Sequence, residues 1–194
     1  MSGTPPSRGP ARLWLVRHPR PAVPPGLCYG ALDVPIDDAH LAQLLDELPA
    51  LLPRGAPLYS SPLGRCLRLA QGLAQRGFGP PATDPRLREM DFGQWEGRSW
   101  SELPREQIDA WRDDLAHYVP PAGESVAMLA GRGLDFVGTL PAGSEAILVT
   151  HAGVIQTLLR SLRGLSLGDF GGVKIEYGQV VRLERTAAGW LRHD

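Results

Sequence analysis

Three short apolar runs restrict the fold of this chain more than any other feature. RLWLV (12–16) and EAILVT (145–150) read as strands buried on both faces, and PLYSS (57–61) reads as a third strand. A strand buried on both faces needs helices above and below it. The rest of the chain supplies them. HLAQLLDELPALL (40–52) carries leucines at helical spacing, and PLGRCLRLAQGLAQRG (62–77) ends in glycine. SVAMLAGRGLDFVGTL (125–140) predicts a helix despite its interior glycines, and HAGVIQTLLRSLRG (151–164) predicts another. A short strand is expected near ATDPRLRE (82–89), then a polar, tryptophan-containing and partly helical stretch over 91–119. KIEY and QVVRLERT (174–186) predict a terminal hairpin around Gly178. Strand-helix alternation of this kind predicts an α/β fold of three α/β/α layers around a mostly parallel central sheet.

A chain of 194 residues is long enough for one such domain and too short for two. Residues 12–194 are read as that domain, with a lid-like insertion at about 92–123, and residues 1–11 as a disordered leader. The leader has no apolar core and so does not read as a signal peptide. No stretch approaches the ~20 apolar residues of a membrane span. A formal net charge of −1 argues against nucleic acid or an anionic membrane as partner. Cys28 and Cys66 form no CxxC pattern or disulfide framework, which suits a reducing cytoplasm. The histidines show no HxH or HExxH spacing, no GxGxxG follows the first strand, and no GK[ST] occurs, so neither metal nor nucleotide cofactor is expected. The expected partner is a small molecule, for a chain that is monomeric or homodimeric.

The chemistry sits where the three runs end. WLVRH ends in Arg17 and His18; LYSSPLGR passes through Ser60 and Ser61 into a helix carrying Arg65; ILVTH ends in Thr150 and His151. If the strands are parallel, all these groups share one carboxyl edge, where α/β sheets bind ligands. Two helix N-termini there would favour an anion, and arginine recognises phosphate through two parallel N–H bonds. Ser61 is expected to cap the second helix, with Pro62 at its first position. Arg68 competes with Arg65 but lies one turn farther from the edge. A lone histidine at a strand end is ordinarily structural or solvated; a second one in a matching position argues otherwise. LREMDFGQWEG offers Glu89, Asp91 and Glu96 as proton sources, and spacing leaves the choice open. A carboxyl facing a bound phosphate is pushed toward its protonated form by like charge, which suits a general acid.

Taken together, RH after the first strand, SSPLGR, LREMDFGQWEG, PPAGES and VTHAGV resemble the ordered motifs of the histidine phosphatase superfamily, the phosphoglycerate mutase-like fold. The resemblance implies a metal-independent phosphomonoesterase working through phosphohistidine. It implies His18 as nucleophile, Arg17, Arg65 and His151 as phosphate-binding groups, and Glu89 as proton donor and acceptor. Asp91 and Glu96 then take turn and lid roles. One departure is Pro19, where that family usually has glycine; proline removes a backbone N–H. PPGLCYGALDVPID (24–37) resembles the corresponding loop of α-ribazole phosphatases, which implies α-ribazole-5'-phosphate as substrate in cobalamin nucleotide-loop assembly. The alternatives are a broad-specificity or sugar-phosphate phosphatase of the same superfamily, and a non-catalytic phosphate-binding protein.

Overall fold

The computed structural model describes residues 9–170 and 172–193. Leu13, Leu15 and Val16 are fully buried because β1 (Arg12–Arg17) lies inside a six-stranded sheet. On one side β1 pairs in parallel with β4 (Glu145–Thr150), and β4 with β2 (Leu58–Ser60). Beyond β2 lies β3 (Ala82–Thr83), also parallel. On the other side β1 takes β5 (Val180–Thr186) antiparallel, and β5 pairs with β6 (Gly189–His193). The order is β3-β2-β4-β1-β5-β6, a mostly parallel sheet with an antiparallel hairpin at one edge.

The helices are α1 (Asp38–Glu47), α2 (Gly64–Gln75), α3 (Arg105–Asp113), α4 (Val126–Thr139) and α5 (Ala152–Ser161). Alternation along β1 and β4 divides the core between two faces. Val16, Ile147 and Val149 pack with Leu44 and Leu45 of α1 and Leu69 and Leu73 of α2. Leu13, Leu15, Ala146 and Leu148 pack with Leu129 and Phe136 of α4 and Val154 and Leu158 of α5. Each buried Leu, Val or Ile contributes roughly 1.5–3 kcal/mol, and a one-residue slip of either strand would exchange the faces. Gly133 lets α4 approach α5, since a Cβ there would lie 3.3 Å from Leu158 Cδ2.

Four boundaries differ from the sequence reading. Helix α1 starts at Asp38, ahead of His40, because the Asp37 carboxylate caps it by accepting the His40 N–H at 3.1 Å. Helix α2 starts at Gly64 after the N-cap Leu63, so Pro62 precedes the helix. Strand β3 stops after two residues because Asp84 caps a 3-10 turn, Pro85–Leu87, whose proline cannot donate to a ladder. Residues 174–177 form no strand; the terminal hairpin is β5 and β6, turning at 187–188. Gly178, at φ +78°, instead closes a turn that gives its N–H to the Arg17 carbonyl at 3.1 Å.

Residues 92–123 gather Phe92, Trp95, Trp100, Trp111 and Tyr118 around Cys28 and Leu103 as a separate small core. The Trp100 and Trp111 rings stack at 5.6 Å. This segment is partly helical, as expected, and hydrogen bonds to the 26–28 loop through Cys28 N–H to Arg98 O at 2.8 Å. Residues 1–8 of the expected leader lie outside the described residues. Pro10 is buried and the Ala11 carbonyl accepts the Arg185 N–H at 2.8 Å, so residues 10 and 11 pack with the domain. Among the described residues no helix is long and apolar enough to cross a membrane.

Candidate active site

Register decides which side chains meet. Arg17 pairs with Thr150, and Ser60 with Val149, so β1, β2 and β4 end level with one another. The chain continues the ladder just past the strands: His18 N–H donates to Thr150 O at 3.0 Å, and Ser61 N–H to Val149 O at 2.9 Å. The His18 and His151 rings are thereby brought to 5.1 Å between centroids. Arg65, in the first turn of α2, reaches across so that its Nε–H donates to His151 Nδ1 at 3.3 Å. His18, Arg65 and His151 are each at most 1% exposed. Arg68 points elsewhere, into a surface ion pair with Asp38 at 2.8 Å.

The hydrogen bonds assign the tautomers. His18 Nδ1 lies 2.7 Å from Pro19 O; a carbonyl only accepts, so Nδ1 carries the proton and Nε2 keeps its lone pair. Pro19 thus contributes its carbonyl although it has no N–H. His151 Nδ1 accepts from Arg65, which leaves Nε2–H to donate to Ser61 Oγ at 2.8 Å. Burial, then the Arg65 and Arg17 guanidiniums, hold His18 well below its usual titration range, against a smaller opposing effect of the Pro19 bond. Burial, Arg65, His18, Arg132 and Arg17 do the same to His151. Both rings are neutral, and His18 offers a free nitrogen among cations. Arg17 lies 3.7 Å over the Tyr177 ring and donates to Ile175 O, while its buried Nε has no partner among the described residues.

Two buried neutral histidines have a consequence for stability. Their ordinary pKa is 6.5, and above that value folded and unfolded chains both hold them neutral. As pH falls below 6.5 the unfolded chain takes up protons that the folded chain refuses. Stability is therefore full above about 6.5 and declines below it, by up to ~1.4 kcal/mol per pH unit for each histidine until the depressed pKa is reached. Denaturant titrations between about pH 7.5 and about pH 5 are expected to show this slope; a level or rising stability would contradict the buried neutral pair.

Glu89 is held at the same edge by α5. Its Oε2 accepts the Gly153 N–H at 3.1 Å and its Oε1 the Met90 N–H at 3.0 Å. A Cβ at Gly153 would stand 2.3 Å from Glu89 Oε1, so glycine there is required for the approach. Thr150 Oγ1 donates to Leu87 O at 2.8 Å. Arg132 of α4 donates to the carbonyls of Arg86, Arg88 and Glu89 at 2.7, 2.6 and 2.9 Å, while Glu124 pairs with its guanidinium at 2.6 Å. Asp91 takes a turn role, accepting the Gly93 N–H at 2.8 Å. Ser125 caps α4, accepting the Met128 N–H at 3.2 Å.

The helix N-termini differ from expectation. Each already has a protein carboxylate on it: Asp33 Oδ2 accepts the Gly64 N–H of α2 at 2.8 Å, and Glu89 accepts from α5. Ser61 accepts the Leu63 N–H at 3.3 Å, ahead of the helix proper. The positive groups this leaves at the sheet edge are guanidiniums rather than helix ends. Sequence reading also missed Tyr29 and Tyr177, whose hydroxyls meet at 3.0 Å beside Arg65 and Arg17. GLCYG contains Tyr29, but nothing local indicates its partner 148 residues away.

A neutral imidazole among guanidiniums, at the carboxyl edge of a parallel sheet, suits phosphate-ester chemistry, and comparison with known proteins agrees. The chain belongs to the histidine phosphatase superfamily (branch 1), whose family model matches residues 13–193. It is a phosphatase of that superfamily. It is 34% identical to a glucosyl-3-phosphoglycerate phosphatase of Mycolicibacterium vanbaalenii, over 82% of this chain and 77% of that protein. It is 31% identical to an adenosylcobalamin/α-ribazole phosphatase of Salmonella typhimurium, over 86% and 87%. The crystal structure of a phosphoglycerate mutase from Thermus thermophilus superposes with a TM-score of 0.73 at 31% identity, covering 93% of this chain and 97% of that one.

Proposed function

We propose that this chain hydrolyses phosphomonoesters through a phosphohistidine on His18, with α-ribazole-5'-phosphate as its substrate. One observation carries the mechanism: the bond from His18 Nδ1 to Pro19 O leaves Nε2 unprotonated. Nε2 attacks phosphorus, and a P–N bond forms as the P–O bond to the leaving group breaks. Arg17, Arg65 and His151 stabilise charge on the equatorial oxygens. Glu89 gives its proton to the departing alkoxide and later takes one from the attacking water, which returns His18 and releases phosphate. The guanidiniums carry the electrostatic task that a metal performs elsewhere. The reading keeps a soluble small molecule as the partner and the cytoplasm as the compartment.

The substrate assignment draws on the 24–37 loop and on the Salmonella relative. A second reading, an acidic sugar phosphate, is favoured by a different observation. A cavity of about 220 Å³ beside Glu89, the leaving-group side, is bordered by Arg88, Asp91, Glu124 and Arg132. Arg132 is engaged by carbonyls and Glu124, whereas Arg88 has no side-chain hydrogen bond or ion pair among the described residues. A free guanidinium there suits a carboxylate-bearing leaving group, and the Mycolicibacterium relative is named for such a substrate.

Comparison of α-ribazole-5'-phosphate with phosphoglycerates, glucosyl-3-phosphoglycerate and hexose phosphates, run with a chelator present, separates the readings. The expected result is the highest kcat/KM for α-ribazole-5'-phosphate, with turnover unaffected by the chelator. Equal or better turnover of an acidic sugar phosphate would move the assignment to the second reading. Turnover of none of these esters would overturn both substrate readings.

A further inference from the structure

Arg65 is 1% exposed, yet the nearest carboxylate oxygen paired with it, Asp33 Oδ1, is 3.7 Å from Nη1. Its guanidinium is located mainly by backbone. Nη2 donates to Gly30 O at 2.5 Å and Nη1 to Leu32 O at 2.8 Å, so the conformation of residues 30–32 decides where Arg65 points. That segment belongs to no helix or strand. Besides Arg65 itself, one side chain holds it through its N–H groups. Glu96 accepts the N–H of Ala31 at 2.8 Å on Oε1 and that of Leu32 at 2.5 Å on Oε2. Oε1 also accepts the Phe92 N–H at 2.9 Å, which ties in the loop that follows Glu89. Gly30 admits this arrangement because a Cβ there would lie 1.9 Å from Met90 O and 3.0 Å from Glu96 Oε1.

We infer that Glu96 is a positioning residue for the anion site: its carboxylate sets the 30–32 loop, whose carbonyls aim the Arg65 guanidinium. The inference rests on the reading of Arg65 as a phosphate-binding group. Glu96 acts through backbone, its carboxylate accepting from the N–H groups of Ala31, Leu32 and Phe92. Charge matters to the role, because a carboxylate accepts from several N–H groups at once and each bond is charge-assisted. Glutamine would keep one accepting oxygen and turn an NH₂ toward a backbone donor.

The test is a double-mutant cycle on the full chain, with inorganic phosphate as a competitive inhibitor. Arg65→Lys cannot span both carbonyls and is expected to weaken phosphate strongly. Glu96→Gln is expected to raise the phosphate inhibition constant about tenfold in the wild-type background. In the Arg65→Lys background the same change should add less than about twofold, since no guanidinium remains to be aimed. Equal, additive losses in both backgrounds would reveal general destabilisation and overturn the inference. An unchanged inhibition constant in Glu96→Gln, with Arg65→Lys impaired, would overturn it as well. If Arg65→Lys left phosphate binding intact, the phosphate-site reading would fall and this inference with it. Should Glu96→Gln not accumulate folded, Glu96→Asp enters the same cycle, keeping the charge and withdrawing the carboxylate by one methylene.

Discussion

Replacing His18 with asparagine is expected to eliminate the phosphoenzyme and lower turnover by roughly 10⁴-fold or more, the scale of losing a covalent nucleophile. Asparagine can keep a donor near the Pro19 carbonyl, where Nδ1 now sits at 2.7 Å, while removing Nε2. The competing nucleophile is Ser61, whose Oγ lies 2.8 Å from His151 Nε2 in what resembles a serine–histidine pair. The direction of that bond speaks against it. Because Arg65 donates to His151 Nδ1, Nε2 already carries the proton and cannot take one from Ser61. Brief exposure to substrate followed by an alkaline quench should therefore trap a base-stable, acid-labile phosphohistidine on residue 18. A phosphoserine, or label persisting in His18→Asn, would reassign the nucleophile.

Glu89→Gln is expected to slow phosphorylation by roughly 10²–10⁴-fold with an alkyl phosphate and far less with p-nitrophenyl phosphate. A ribose 5'-alkoxide departs poorly without a proton, whereas p-nitrophenolate needs little help. Glutamine preserves the shape and one of the two contacts that now hold the carboxylate, from Met90 and Gly153. Single-turnover kinetics isolates the step, because the role proposed for Glu89 as base in dephosphorylation would make steady-state rates a mixture of the two. Asp91→Asn and Glu96→Gln should show no leaving-group dependence, since one closes a turn and the other acts on Arg65 through a loop. Equal slowing of both substrates in Glu89→Gln would make it a positioning residue and send the search for the proton donor elsewhere.

Much of the fold was legible because its signals are short-ranged. Both-face burial of Leu13, Leu15 and Val16 and of Ile147–Val149 left apolar runs, and Leu41, Leu44, Leu45 and Leu48 repeated at helical spacing. Boundaries were less legible where a side chain from outside the apolar pattern intervened, as with the Asp37 cap. The hairpin was displaced because KIEY has strand-forming residues, while its Ile175 carbonyl and Tyr177 ring serve Arg17 instead. Such a use leaves no periodicity.

By itself the sequence determined the layered α/β architecture and the set of polar groups that close its buried strands. These follow from local propensity and from the cost of exposing apolar surface, which act within a few residues of each position. The tertiary structure alone decided what those groups are to one another. Strand order β2-β4-β1 brought Ser61, His151 and His18 together, and the bonds across them chose the tautomers. It also recruited Glu96 to Ala31 across 65 residues and Arg132 to the carbonyl of Glu89 across 43. A carboxylate or a guanidinium binds whichever donor or acceptor chain closure delivers, and that delivery depends on the whole path of the backbone rather than on neighbouring residues.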